Sequence, residues 1–161
     1  MNASRNIIVA LHNVHSVQRV IEMAKICYGL GIGTIIISKA VGTAAQTGVP
    51  EAQKIAIRLG RKLIFVPDIQ DAIDLLKPDE ILLFAPKPYG REPFNPDEVA
   101  ERASKGQMVM LVFGGLEPGL SSRELSLGRA VYLETQSPIG SIGTAAITIY
   151  LLLQSLQCSD T

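Results

Sequence analysis

The chain has 161 residues, of which 47% are hydrophobic and 5% aromatic, and it contains no tryptophan. Its 15 basic residues balance 15 acidic ones, so net charge gives no field to attract nucleic acid or a membrane surface. This length is typical of one domain with a large aliphatic core, here spanning residues 1–161.

Apolar strands alternate with amphipathic helices in the first half of the chain. Asn6–Leu11 is predicted as a buried strand, and the next helix begins after the capping residue Ser16 and ends at Gly29 and Gly31. The following predicted elements are strand Thr34–Ser38, small-residue segment Gly42–Gly48, helix Pro50–Leu59, strand Leu63–Val66, a helix capped by Asp68 that runs through Leu76, and strand Ile81–Ala85.

The second half continues the alternation after a proline-dense segment, Pro86–Pro93, that is predicted as a loop. Strands that are apolar on both faces and separated by helices predict an α/β fold with a parallel sheet covered on both sides. The elements are helix Pro96–Lys105, strand Met108–Phe113, a short helix opened by the capping box Ser121–Glu124, strand Ala130–Leu133 and helix Ile142–Leu156.

The last predicted helix is apolar nearly all round, so its outer face needs cover in addition to the sheet. A second copy of the chain is the simplest cover, which predicts a homodimer through this helix. Its uncharged stretch, Ala145–Leu156, is interpreted as too short and too mixed, with Thr148 and Gln154, to cross a bilayer. No signal peptide is predicted, and Cys27 and Cys158 lie at no metal-ligand spacing. The chain is therefore predicted to be cytoplasmic.

Two loops rich in glycine follow the last two strands, at Gly114–Ser121 and Ser137–Thr144. Glycine lets a backbone approach a flat ligand closely, and open parallel sheets bind ligands beyond the carboxyl ends of their strands. The two loops therefore predict a ligand site, with service in tight turns as the alternative for each glycine.

Three segments resemble the SpoU-like branch of the SPOUT superfamily of RNA methyltransferases: Ile81–Pro86, Leu111–Ser121 and Ile139–Ala146. The stretch Asn13–Gly31 lies roughly where that family has an arginine-bearing helix. More narrowly, the sequence is similar to an uncharacterised archaeal family sometimes labelled RecB-family nuclease. The resemblance implies a single-domain α/β knot with a deep C-terminal trefoil knot, S-adenosylmethionine as cofactor, and a homodimer.

The resemblance also implies site residues. Those for catalysis are Arg19, Glu117 and Ser141, and those for cofactor binding are Phe84, Ala85, Gly114, Gly115, Leu133, Ile139, Gly140, Ile142 and Gly143. The chain departs from the family pattern at three points: Gly143 replaces an asparagine, the loop after Glu117 is one residue shorter, and Arg19 is out of register with the family arginine.

Structural alternatives accompany each candidate. Arg19 fits a polar helix face, Glu117 a solvated loop, and Ser141 the cap of the last helix. No carboxylate or cysteine lies at metal spacing beside His12 and His15, so no metal is expected; a surface or capping role is predicted, with His12 lining a cleft as the alternative.

The loop that contains Lys87, Tyr89 and Arg91 is basic and aromatic, which fits binding of single-stranded RNA. Ordinary exposed loop residues would give the same composition. The leading hypothesis is an S-adenosylmethionine-dependent RNA methyltransferase acting on tRNA or rRNA, with the ribose 2′-hydroxyl as the candidate acceptor. The second is an inactive RNA- or nucleotide-binding protein of the same fold. A nuclease ranks last, because the acidic residues lie mainly on helices and turns and form no metal-binding constellation.

Overall fold

The computed structural model describes residues 3–116 and 119–159. The strands are β1 (Ile7–Val14), β2 (Thr34–Ala40), β3 (Lys62–Val66), β4 (Glu80–Phe84), β5 (Glu92–Pro93), β6 (Val109–Gly114) and β7 (Arg129–Tyr132). The helices are α1 (Val17–Gly29), α2 (Val49–Leu59), α3 (Ile69–Leu76), α4 (Pro96–Ser104), α5 (Ser122–Leu125) and α6 (Gly140–Ser159). Every strand pairing is parallel, and the order is β3-β2-β1-β6-β4-β7-β5. The predicted α/β class is confirmed.

Helices cover both faces of this sheet. Side chains on both faces of the central strands are therefore buried, which explains why successive residues of these strands are apolar. In β1, Ile7, Val9 and Leu11 face the layer of α1, α2, α4 and α6. Ile8 and Ala10 face the other layer, which contains α3 and the apolar residues around α5. The larger core lies on the first face.

Three predicted helix starts are confirmed by their hydrogen bonds. Ser16 Oγ accepts from the Arg19 amide, and Asp68 forms a capping box with Asp71 at the start of α3. Ser121 and Glu124 form the predicted capping box of α5. Short polar side chains at these positions satisfy amides that have no partner within the helix.

Several boundaries differ from the sequence prediction. β1 and β2 each run further toward their carboxyl ends than predicted, because their pairing continues past the bonded His12 and Ser38 to Val14 and Ala40. The segment predicted as a loop contains β5, a two-residue strand on β7. An outermost strand tolerates Pro93, since its missing amide hydrogen leaves no pairing group unsatisfied. A π-helical turn, Ala44–Gly48, leads directly into α2.

The last helix, α6, is longer than predicted and begins at Gly140. Ala145, Ile149, Leu152 and Leu156 on one side of it are buried in the core. Contrary to the sequence interpretation, its 19-residue stretch Gly140–Cys158, with mean hydropathy 1.3, is long and apolar enough to cross a membrane. Packed core helices satisfy the same criterion, so length and composition alone do not distinguish the two.

Candidate functional site

A cleft lies at the carboxyl ends of β4, β6 and β7 and contains about 620 Å³ of free space, counted to its open mouth. Phe84 at the end of β4 and Phe113 at the end of β6 form its aromatic floor. Their rings stack with centroids 4.6 Å apart. This position is where open parallel sheets bind ligands.

Three segments surround the floor. The segment after β4 contributes Ala85 and Pro86, and the one after β6 contributes Gly114, Leu116 and Gly119. The segment between β7 and α6, with the first turns of α6, contributes Leu133, Thr135, Pro138, Ile139, Gly140, Ser141 and Thr144. The walls are therefore apolar side chains and exposed backbone, with a few hydroxyl groups at the α6 side.

Two glycines of the cleft are required by backbone geometry. A Cβ atom on Gly114 would lie 3.1 Å from the backbone of Gly119 and Leu120, so the loop after β6 folds closely back on the strand end. Gly140 has φ of +84°, in the left-handed region that favours glycine, at the start of α6.

The structure brings most of the predicted cofactor-binding residues to this cleft: Phe84, Ala85, Gly114, Leu133, Ile139 and Gly140. The other three lie elsewhere. Gly115 packs against Val14 of β1, Ile142 packs against the larger core, and Gly143 lies beside the Ile139 side chain.

The predicted catalytic residues have different surroundings. Ser141 lines the cleft from the first turn of α6, inside the helix rather than at its cap. Arg19 Nη1 donates a hydrogen bond of 2.5 Å to the carbonyl oxygen of Gly115, so its guanidinium supports the loop after β6. Glu117 lies outside the described residues.

Sequence reasoning missed several lining residues. Pro138 belongs to the second glycine-rich loop and Thr135 lies just before it, so the pattern that selected Ile139 also pointed to this segment. Phe113 ends an apolar run and was indistinguishable from core. Thr144 lies one turn into α6, where its Oγ1 donates to the Gly140 carbonyl over 2.7 Å.

A shallow groove adjoins the cleft and shares Pro86, Leu133, Thr135 and Pro138 with it. Lys87 Nζ lies 4.6 Å from the centroid of the Tyr132 ring and 3.1 Å from Glu134 Oε1. The hydrogen bond to Glu134 is the main reason that the pKa of Lys87 lies above its usual value, although exposure to water weakens the effect. The groove is thus bordered by the Tyr132 ring and by the Lys87–Glu134 ion pair.

The expectation that His12 lies at the surface or caps a helix is wrong. Its side chain is fully buried and bonds Ser38 and Glu124, and it does not line the cleft. His15 is exposed. Over residues 3–116 and 119–159, no group of three or more histidine, cysteine, aspartate or glutamate side chains is placed to hold a metal ion.

Comparison with known proteins identifies the family. The family model described as RecB-family nuclease (DUF2122) matches residues 42–151. The chain belongs to this family. A DUF2122 relative from Aeropyrum pernix, named "Putative type II restriction enzyme ApeKORF2002P", is 40% identical over 149 residues, covering 92% of this chain and 93% of that protein. Another from Methanocaldococcus jannaschii, named "Putative type II restriction enzyme MjaORF1200P", is 34% identical over 146 residues, covering 91% and 95%.

Solved structures similar to this DUF2122 chain show its fold. The "Probable Methyltransferase from Bordetella pertussis Tohama I" superposes with a TM-score of 0.75 at 15% identity, covering 96% of this chain and 98% of that one. The SpoU methyltransferase AviRb from Streptomyces viridochromogenes, in complex with AdoMet, gives 0.67 at 14% identity, covering 96% and 58%. A structure concerning 2-OH methylation of C/U34 on tRNA gives 0.69 at 13% identity, covering 94% and 97%. The chain has the fold of SPOUT methyltransferases.

Proposed function

We propose that the protein is an S-adenosylmethionine-dependent RNA methyltransferase. The observation that carries the proposal is the cleft at the ends of β4, β6 and β7, in a chain with the fold of SpoU-type methyltransferases. Its lining is mostly apolar with a few hydroxyl groups, which is the usual composition of a small-molecule site. The stacked Phe84–Phe113 floor and the close backbone at Gly114 and Gly140 suit the flat adenine ring of an adenosyl group.

The residues present fit such a cofactor. Backbone groups of the loops after β4 and β6 are available to the adenine and ribose, and the hydroxyls of Ser141 and Thr144 lie at the α6 side of the cleft. When bound, S-adenosylmethionine supplies an electrophilic methyl group. The chain's own contribution is to orient the acceptor and exclude water, which is the main requirement of this reaction class.

RNA is the acceptor we propose, with tRNA or rRNA as its class and a ribose 2′-hydroxyl as the modified group. The groove beside the cleft supports this, because Lys87 and Tyr132 border it and Tyr89, on the same loop, is 62% exposed. A cation and an exposed aromatic ring suit phosphate contact and base stacking on single-stranded RNA. A solved relative of the same fold concerns 2-OH methylation of tRNA.

We propose a homodimer that buries the outer side of α6. Ile147, Tyr150 and Leu151 on that side are partly exposed apolar residues, and Ile139 at the mouth of the cleft is also exposed. A contiguous apolar surface of this kind is typical of an interface. Since Gly140, Ser141 and Thr144 at the start of α6 line the cleft, a dimer through α6 would lie near it.

The trefoil knot of the SPOUT family and a cytoplasmic location are part of the same proposal. The chain between β7 and α6 and the loop after β6 both reach the cleft, which is the arrangement a knotted cofactor site needs. A crystal structure traced through residues 114–144 tests the knot directly.

The names of the curated relatives favour a second candidate, a nuclease. A metal-dependent nuclease uses clustered carboxylates to hold magnesium, and the described residues contain no such group. A third candidate, an RNA- or nucleotide-binding protein without catalysis, is compatible with the same cleft. Magnesium-dependent cleavage of DNA by the purified protein would identify a nuclease. Ligand binding without methyl transfer would identify a binding protein without catalysis.

Calorimetric titration with S-adenosylhomocysteine tests the proposal. We expect saturable binding with one site per chain and micromolar affinity, within the range typical of such cofactor clefts (about 6–8 kcal/mol of binding free energy). Incubation with labelled S-adenosylmethionine and total tRNA or rRNA then measures transfer.

A matched pair of substitutions locates the binding. Thr135→Trp places a large ring at the exposed wall of the cleft and is expected to abolish binding. Thr47→Trp makes the same change at an exposed position on the turn before α2 and is expected to leave it intact. Equal affinity in both variants would show that the ligand binds elsewhere.

A further inference from the structure

A chain of buried hydrogen bonds lies beside the cleft and is not used by the proposed reaction. His12 at the carboxyl end of β1 is 0% exposed. Its Nδ1 lies 2.8 Å from Ser38 Oγ, and its Nε2 lies 2.6 Å from Glu124 Oε2. The chain Ser38–His12–Glu124 thus joins β2, β1 and α5, which are far apart in sequence.

Glu124 connects this chain to the loop between β6 and α5, whose residues Leu116 and Gly119 line the cleft. Glu124 Oε1 accepts from the Ser121 amide over 2.8 Å, while Oε2 bonds His12. One carboxylate therefore bonds both the end of the loop and the buried histidine.

His12 also contacts the other end of the same loop. The Gly115 amide donates to the His12 carbonyl oxygen over 2.7 Å, directly after β6. The loop is consequently linked to His12 at both ends. Gly115 bonds the His12 backbone directly, and the Ser121 amide bonds Glu124, which in turn bonds the His12 side chain. Arg19 reinforces the first of these contacts.

The protonation state follows from the partners. Partial burial opposes ionisation of Glu124, but hydrogen bonds from Ser121 and the interaction with His12 outweigh it, so the pKa of Glu124 lies below its usual value. An ionised carboxylate only accepts, so His12 Nε2 donates the proton, and in the neutral ring Nδ1 accepts from the Ser38 hydroxyl. Asp68, at the start of α3, lies 3.9 Å from Nε2 and is largely exposed.

We propose that His12 is a positioning residue: through Glu124 it fixes the loop between β6 and α5 against the cleft and so determines the affinity for the adenosyl ligand. The ligand part rests on the proposed function. The positioning part does not, because it concerns the protein without ligand.

Hydrogen exchange of the free protein tests the positioning. In His12→Gln and in Glu124→Ala, amides from Leu120 to Leu125 are expected to exchange about 10-fold faster or more, as loss of a hydrogen bond to a charged group predicts. In Glu124→Gln the carbonyl oxygen still accepts from Ser121 and the ring can change tautomer, so exchange is expected within about twofold of wild type.

Two controls separate His12 from general effects. His15→Gln changes an exposed histidine three positions away and is expected to leave exchange unchanged. Ser121→Ala removes the hydroxyl half of the capping box but keeps the His12–Glu124 bond. If Ser121→Ala accelerates exchange as much as Glu124→Ala does, the local cap suffices and the proposal is wrong.

Affinity for S-adenosylhomocysteine is then measured in the same variants. We expect it to fall about 10-fold in His12→Gln and Glu124→Ala and to be restored in Glu124→Gln. Should His12→Gln fail to fold, Glu124→Ala carries the test, since Glu124 lies at the edge of the buried chain. Absence of binding by the wild-type protein refutes the proposed function, while the exchange rates still decide whether His12 positions the loop.

Discussion

Glycines that look alike in the sequence have different structural roles. A Cβ atom on Gly115 would lie 2.7 Å from Val14 Cβ and 2.8 Å from the Asn13 carbonyl oxygen, so β1 and the loop after β6 meet there with no space for a side chain. On Gly143, inside α6, the nearest atom would be Ile139 Cδ1 at 3.5 Å, an ordinary contact.

This difference predicts opposite effects of the same substitution. Gly115→Ala is expected to lower the free energy of unfolding by about 2–3 kcal/mol, since backbone must move to relieve the contact. Gly143→Ala is expected to raise it by about 0.5–1 kcal/mol, because alanine favours the helix. Urea unfolding monitored by circular dichroism measures both, and a similar loss in the two variants would contradict the prediction.

At the scale of elements, Arg129 joins four of them at the amino-terminal edge of the sheet. From the start of β7 its guanidinium bonds Glu80 at the start of β4 over 2.9 Å and Glu98 of α4 over 2.8 Å. It also bonds Glu92 of β5 over 2.6 Å. The hydrogen bonds raise the pKa of Arg129 above its usual value, with those to Glu98 and Glu80 contributing most.

Replacing Arg129 by Met is expected to lower the free energy of unfolding at pH 7 by about 1–2 kcal/mol. The loss is no larger because these ion pairs are partly exposed and water screens them. The hydrogen bond from Arg129 is the main reason that the pKa of Glu98 lies below its ordinary value of 4.5. A carboxylate whose pKa is lower in the folded protein than in the unfolded one stabilises the fold at pH values above its unfolded pKa. This contribution is lost as the pH falls through its pKa in the folded protein.

The difference between wild type and Arg129→Met is therefore expected to shrink below pH 4.5. Chemical denaturation from pH 7 to pH 3 measures it. A difference that stays constant or grows on acidification refutes the role assigned to the carboxylates.

Elements with a local signal could be predicted from the sequence, and those defined by distant contacts could not. Ser16, Asp68 and Ser121 mark helix starts because a cap needs only its own first turn. Gly114 and Gly140 were found because glycine at a strand or helix end is itself a signal. The bonds of His12 reach 26 and 112 positions along the chain, so no local pattern indicates them.

The same limit explains the errors in the elements. β5 has two residues and exists only because β7 lies beside it, so its composition resembles a loop. β1 ends with His12, Asn13 and Val14. The apolar run that predicts the strand stops before these residues. A strand end with polar residues is predictable only when their partners are known.

For the whole molecule, the exposed side of α6 predicts the association state. Ile147 is 44% exposed and Tyr150 is 55% exposed, whereas the opposite side of the helix is core. Ile147→Glu combined with Tyr150→Glu is expected to convert a dimer into a monomer, since two carboxylates would be buried at the interface. Light scattering after size exclusion measures the mass.

Ile57→Glu is the matched control, because Ile57 is a still more exposed isoleucine, at 70%, on α2. It is expected to leave the dimer unchanged. A wild-type protein with the mass of one chain at micromolar concentration, or a dimer that survives the double substitution, refutes association through α6.

The pairing of β1 has a consequence for how the chain is made. β1 lies between β2 and β6, so Ile7, near the start of the chain, is a sheet neighbour of Val109. During translation β1, β2 and β3 can associate early, but one edge of β1 stays unpaired until β6, which begins at Val109, has been synthesised. A nascent chain with such an edge is prone to aggregate. The ligand cleft is built from three segments that all follow residue 83, so it is completed only after Thr144 has been synthesised.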